Sequence, residues 1–205
     1  MMSRAFFGTA LLLICGTLAG CASKPSNFYI LSAPGAETAQ AVQTTRMAGP
    51  SIGIGPITLP EYLDRSEIVT RNSETTLEVH EMNQWGGNLT ENVQSVLAEV
   101  LSDGMNTDRL FLYPWSTSGQ MTYQVLVQIN AFEAREDGNV VLDARWTVLS
   151  GRTQDVLKMG RTLLREPIGA TPNGVAGPDY ADIAAAMSRS VARLGQEIAA
   201  TGLLR

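Results

Sequence analysis

Nucleophilic and metal chemistry draw on few side-chain types, and this 205-residue sequence is poor in them, with one histidine and two cysteines. His80 stands in LEVHEM, two residues after Glu78 and one before Glu81. A hydroxyl nucleophile needs a base such as this histidine, and a metal needs several ligands of the His or carboxylate kind. In an alternating strand Glu78 and His80 share one face, while Glu81 points to the other. Two ligands are too few, and no G-x-S-x-G turn supplies a nucleophile. His80 therefore reads as an outward strand residue, solvated and weakly paired with its glutamates. IGIGPI (52–57) opens like a dinucleotide loop, but the third glycine falls on Thr58 and Pro56 bars the helix that should follow. The acids show no glycosidase-type pairing pattern, and Asp143 with Arg145 reads as surface electrostatics on one strand face. The expectation is no enzyme: no catalytic residue, no cofactor-binding residue and no metal ligand.

The cysteines belong to a different chemistry. Arg4 precedes an apolar run, Ala10 to Leu18, that Cys15 and Gly16 interrupt and that is too short for a stable membrane span. It ends in Leu18-Ala19-Gly20-Cys21, which resembles the lipobox of bacterial lipoproteins. That resemblance implies cleavage before Cys21, an S-diacylglycerol thioether and an N-acyl group on the new terminus. Two or more chains hold a protein on a bilayer where one does not. Ala22, in place of the aspartate that retains such proteins at the inner membrane, favours the periplasmic face of the outer membrane. Residues 1–20 are thus expected to be a signal peptide, 21–50 a lipidated N-terminus with a short strand and flexible tether, and 51–205 the folded domain.

Removing the signal takes Arg4 from the 15 basic residues and leaves 14 against 20 acids. Such a surface argues against nucleic acid, which requires a basic footprint, and against broad adhesion to anionic headgroups. With Cys15 removed and Cys21 acylated, neither thiol catalysis nor a disulfide remains.

The elements that would carry any site follow from periodicity. FYIL (28–31), IGIGPI, SEIVTR and TLEVHEMNQW read as short strands. Asn88 caps a helix whose stripe is Leu89, Val93, Val96, Leu97, Val100 and Leu101, with Gly104 as its expected end. RLFLYPW (109–115) is a further strand. Three long strands then follow, MTYQVLVQINAFEAR, VVLDARWTVLS and DVLKMGRTLLRE, the first two joined at Asp137-Gly138. A last helix over about 179–200 repeats Tyr180, Ile183, Met187, Val191, Leu194 and Ile198, with Gly202 closing it. The fold class is α/β: one domain, a mixed sheet of roughly seven strands with a three-strand antiparallel meander, and two amphipathic helices packed on it.

Two clusters exceed what a core needs. LPEYLDR (59–65) sets Pro60, Tyr62, Leu63, Asp64 and Arg65 in a loop, where apolar groups either meet a partner or cap the sheet. Trp85, before Gly86-Gly87, is either an interface anchor or a core residue beneath the helix start, its position favouring the core.

The segments IGIGPITLPEYLDRSEIVTR, NQWGGNL, LAEVLSDGM, YPW, LDARW and AAAMSRSVARLGQEIA together resemble the PqiC family of ABC-type transport auxiliary lipoproteins. Ser66 and Gly86-Gly87 depart from the proline and the acidic-proline pair of that pattern. The resemblance implies a non-catalytic outer-membrane lipoprotein that works with an MCE-domain (PqiB-like) protein and its inner-membrane complex in lipid transport, supporting envelope integrity. Pro60, Tyr62, Leu63, Asp64, Arg65 and Trp85 are the candidate partner-binding residues. The alternative is an independent periplasmic lipid-binding carrier. Whether copies of the chain form a homo-oligomer is left open.

Overall fold

The structure, a computed structural model, describes residues 25–35, 45–115, 121–169 and 179–202. The signal, the lipobox with Cys21 and the middle of the expected tether lie outside them. In chain order the elements are β1 (Asn27–Tyr29), β2 (Ile52–Thr58), a 3-10 turn (Glu61–Leu63), β3 (Glu67–Arg71), β4 (Leu77–Trp85), α1 (Leu89–Met105), β5 (Leu110–Leu112), β6 (Tyr123–Arg135), β7 (Asn139–Ser150), β8 (Val156–Pro167) and α2 (Tyr180–Ala199).

The meander forms as the alternation predicts: β6, β7 and β8 pair antiparallel in succession. Gly138, at φ +75°, closes the β6–β7 loop, and its N–H donates to the Arg135 carbonyl at 3.1 Å. The predicted faces hold too. Val125, Val127 and Ile129 of β6 line up with Val140, Leu142, Ala144, Trp146 and Val148 of β7 in the core.

Strand β6 is long enough to serve two partners on its other side. Its first half pairs parallel with β2, and its last two residues pair parallel with β3. Strand β4 returns antiparallel on β3, β1 adds parallel to β4, and β5 adds parallel to β2. The mixed sheet has eight strands among the described residues, one for each strand-like segment of the sequence, where the sequence reading sums them to roughly seven. β1 belongs to the 21–50 segment that the sequence reading sets ahead of the folded domain, yet it pairs into the sheet. The connection is also pinned at its far end. Arg46 donates from its backbone N–H and guanidinium to Asp108, with further contacts to Ser102 and Asp103.

Within β2, Gly55 at φ +115° breaks the register between Ile54 and Ile57, and a Cβ there would lie 2.7 Å from Tyr113 Cβ. The buried Gln94 of α1 donates to the Ile54 and Tyr113 carbonyls at 2.8 and 3.0 Å, and Gln124 donates to the Gly55 carbonyl at 3.0 Å. The dinucleotide-like glycines therefore build a bulge whose carbonyls two glutamines satisfy.

Both helices lie on one face of the sheet. The Asn88 side chain accepts the Thr90 and Glu91 N–H groups at 2.8 and 3.4 Å, and Asp179 caps α2 through Ala181 N–H at 3.0 Å. Their stripes are buried as predicted, except that Val100 and Tyr180 are only partly so. Val100 turns toward α2, where a Cβ on Gly195 would lie 2.8 Å from its Cγ1. Gly104 does not end α1. It stays inside the helix beside Ala199, and Asn106 in the left-handed conformation (φ 51°) is the C-cap. Gly104 is a packing glycine, which has the same one-letter signature as a stop.

Candidate functional site

The two faces of the sheet differ. Helices cover one face; the other carries the LPEYLDR loop, a groove and an open edge. In the loop, Leu63 N–H donates to the Pro60 carbonyl at 2.9 Å and closes the 3-10 turn. This aims Leu63 into the core and Tyr62 at Glu133, which faces away from the helices on β6 and is fully buried. The Glu133 carboxylate accepts from Tyr62 OH at 2.8 Å, Arg71 Nε at 2.7 Å and Phe132 N–H at 2.9 Å. Arg135 stands 3.5 Å away, and the Arg71 guanidinium lies 5.8 Å from the Tyr62 ring centre. Burial, then the hydrogen bond to Glu133, push the Tyr62 phenol up to about 12. It stays protonated at neutral pH and serves as a donor. The bond to Glu133 likewise holds Arg71 firmly charged.

These contacts fasten the loop to the sheet and separate the predicted partner residues. Pro60 and Tyr62 are half-buried, and Leu63 and Trp85 are core residues. For Leu63 and Trp85 the structure takes the sheet-capping and core readings over the partner reading, since their side chains have no surface left to offer. Asp64 and Arg65 remain exposed at the tip; Arg65 Nε donates to Glu67 at 2.9 Å, and Asp64 receives a 3.5 Å contact from the Asn88 side chain.

His80 is not the solvated residue the sequence suggests. Its side chain is largely covered, with Nε2 2.8 Å from Thr70 Oγ1 and Nδ1 2.8 Å from Tyr180 OH; the Tyr180 ring packs edge-on at 5.0 Å. Glu78 reaches within 3.8 Å of Nδ1, on the same face as expected. Both ring nitrogens are engaged, so the histidine ties the β3–β4 hairpin to the first turn of α2. Its alternation with glutamates signals solvent; α2, a hundred residues on, supplies the cover. Among the described residues no group of three or more His, Cys, Asp or Glu could hold a metal.

Where β2, β6, β7 and β8 meet on the helix-free face, a groove of about 560 Å³ opens, lined by Pro56, Leu126, Met159, Arg145 and Arg161 among others. Arg161 grips Asp143 with two bonds of 2.9 and 2.8 Å and holds that carboxyl below its usual range. Arg145 stands directly opposite Arg161 across the β7–β8 ladder. The groove thus combines apolar walls with two guanidinium groups. Beside it, β8 pairs with β7 alone among the described residues, which leave its other edge open. Met159 and Leu163 on this strand are 67% and 62% exposed, and Val156 and Leu157 are exposed as well. Such an edge is an invitation to pair. The sequence reading places these residues in the third meander strand but singles out none of them.

No helix among the described residues is long and apolar enough to cross a membrane. No curated protein matches the sequence. Among solved structures, an uncharacterised protein aligns with a TM-score of 0.66 at 16% identity, over 87% of this chain and 99% of its own. Protein XCC0632 from Xanthomonas campestris, of the family DUF330, aligns at 0.65 and 15% identity, over 87% of this chain and 95% of its own. At those identities the likeness is one of fold. The sequence itself matches the family described as the ABC-type transport auxiliary lipoprotein component over residues 29–199, and the chain belongs to that PqiC-type family.

Proposed function

We propose that this lipoprotein is a non-catalytic auxiliary subunit, held by acyl chains on Cys21 at the periplasmic face of the outer membrane, that docks an MCE-domain protein of a lipid transport system. One observation carries the docking: a twelve-residue edge strand, β8, whose outer edge has no partner among the described residues and which is set with Met159, Leu163, Val156 and Leu157, on a member of a transport-auxiliary family. Apolar side chains along an open edge suit a partner strand or apolar ridge, with backbone hydrogen bonds supplying affinity. Asp64 and Arg65 form a second, polar contact point. The test is a pull-down of the tagged, full-length lipoprotein from crosslinked envelopes. An MCE-domain protein is expected in the eluate, and is expected to be lost when Met159 and Leu163 are both changed to Lys. Recovery of no MCE component overturns the reading.

The groove favours a second reading, a lipid carrier. About 560 Å³ falls in the range of ligand sites, and paired arginines suit a headgroup phosphate. Native mass spectrometry of the protein with co-purified lipid supports it; lipid-free protein argues for docking alone.

A further inference from the structure

The corner of the sheet nearest the N-terminus is apolar where an edge strand should be polar. Alternation in β1 turns Asn27 and Tyr29 to the helix side, where Tyr29 packs 6.2 Å from Tyr180 and its hydroxyl donates to Asn83 at 3.2 Å. Leu31 continues that face into the core. The helix-free face receives Phe28 and, just beyond the strand, Ile30, exposed to 66% and 62%; Met82 of β4, two residues from Gln84, the partner of Phe28, is 41% exposed. Ile30 rests against Gly86, where a Cβ would come within 3.0 Å of its Cγ2, so no side chain rises to screen it. The neighbouring charges Arg65 and Glu67 satisfy each other at 2.9 Å.

We infer that Phe28, Ile30 and Met82 form a membrane-contact patch that beds this corner into the lipid interface. The inference rests on the anchor reading above. Six residues separate Cys21 from Phe28, and a fully extended chain gains at most 3.3–3.6 Å per residue, so Phe28 lies within about 25 Å of the acylated residue. β1 is an outer strand of the sheet, and β8 lies five strand spacings away along β1-β4-β3-β6-β7-β8, about 24 Å. With β1 against the bilayer, the apolar edge of β8 points away from it, toward a partner arriving from the periplasm. The attraction is apolar burial, with aromatic and aliphatic side chains at the headgroup boundary, and it operates on a zwitterionic bilayer.

Once Cys15 leaves with the signal and Cys21 is acylated, the mature chain has no other cysteine, so single cysteines report cleanly. The full-length lipoprotein, matured in cells, carries an NBD fluorophore at Ile30→Cys, at Phe28→Cys or at Leu163→Cys. It is reconstituted in phosphatidylcholine vesicles containing nitroxide-labelled acyl chains. The labels at 28 and 30 are expected to be quenched at least threefold more than the label at 163. Adding Phe28→Ser to Ile30→Cys is expected to remove most of that difference. Equal quenching at 30 and 163 overturns the inference, and the mass of the N-terminal peptide separates the causes. An acylated Cys21 with equal quenching leaves the anchor standing and sinks the patch. An unmodified Cys21 with equal quenching sinks both.

Discussion

Glu133 allows a quantitative test of how the helix-free face is built. The carboxylate is fully buried and accepts three bonds, from Tyr62 OH, Arg71 Nε and Phe132 N–H. Tyr62→Phe deletes one donor and leaves the aromatic ring in place. A hydrogen bond to a charged group contributes about 1.5–3 kcal/mol. The two surviving donors keep the carboxylate partnered, so the lower end applies, about 1.5–2 kcal/mol. Glu133→Gln strips Arg71 of its counter-charge. Breaking a buried pair from one side costs about 3–5 kcal/mol, and Arg71 keeps some exposure and a 3.1 Å bond to the Glu74 carbonyl, which places this loss near 3 kcal/mol. The double variant should cost less than the sum, because both substitutions act on the same Tyr62–Glu133 bond, one by removing its donor and the other by removing the charge on its acceptor. Urea unfolding of all four proteins reads the cycle, with Tyr62→Phe lowering the midpoint by about 0.8–1 M if the slope is near 2 kcal/mol/M. A Tyr62→Phe loss below 0.5 kcal/mol, or strict additivity, refutes the claim that the loop is held by this carboxylate. The cycle also has a pH signature. The Tyr62 phenol ionises near 10 when unfolded and near 12 when folded, so its contribution is present below pH 10 and is lost as pH rises toward 12. The Tyr62→Phe variant should lack that part of the alkaline decline.

Three further outcomes are expected. Gly160→Ala sets a Cβ 2.3 Å from the Trp146 ring, which the bond from its Nε1 to Thr162 at 3.1 Å restrains; overpacking should cost about 2–3 kcal/mol in urea unfolding, and a neutral result contradicts the packing described. Asp108 is held down to about 2, first by the Arg46 backbone N–H and then by its guanidinium, so it stabilises the fold above its unfolded value and that contribution is lost as pH falls from about 4 to 2. Asp108→Asn should therefore flatten the acid limb of a stability–pH curve, and an unchanged limb contradicts the pinning of Arg46. His80→Ala removes the bond to Tyr180 that ties the hairpin to α2, together with the bond to Thr70 inside the hairpin, and should cost about 1–3 kcal/mol, with faster amide exchange in the first turn of α2; unaltered exchange there refutes the strap.

Much of the architecture is legible in the sequence because it is written in local periodicity. The two stripes, the Asn88 cap and the alternation of the meander need only near neighbours in sequence, and each reappears in the structure. What stays hidden depends on long-range cover. Glu133 alternates like any solvent-facing strand residue, and the tyrosine that covers it comes from 71 residues upstream. His80 misleads for the same reason, since nothing in LEVHEM announces Tyr180. Gly104 reads as a helix stop because a packing glycine and a capping glycine look alike until α2 is in place. At the candidate site, LPEYLDR stands out by its composition, but Tyr62 is drawn inward by Glu133, so only Asp64 and Arg65 of the set are fully exposed and Pro60 and Tyr62 are half-buried. The apolar residues of β8 are silent in the sequence because a third meander strand could equally have been covered; only the strand order shows that its edge has no partner among the described residues.

The central claim is that the β8 edge, facing away from the membrane, receives an MCE-domain partner. The most direct measurement is site-specific photo-crosslinking in living cells, with the crosslinker at Leu163 of the full-length lipoprotein and, for comparison, at Glu99 on the exposed side of α1. The account predicts a strong adduct from position 163 whose partner peptide belongs to an MCE-domain protein, and none from position 99. Adducts of equal strength from both positions, or an adduct from 163 containing only a second copy of this chain, would contradict it.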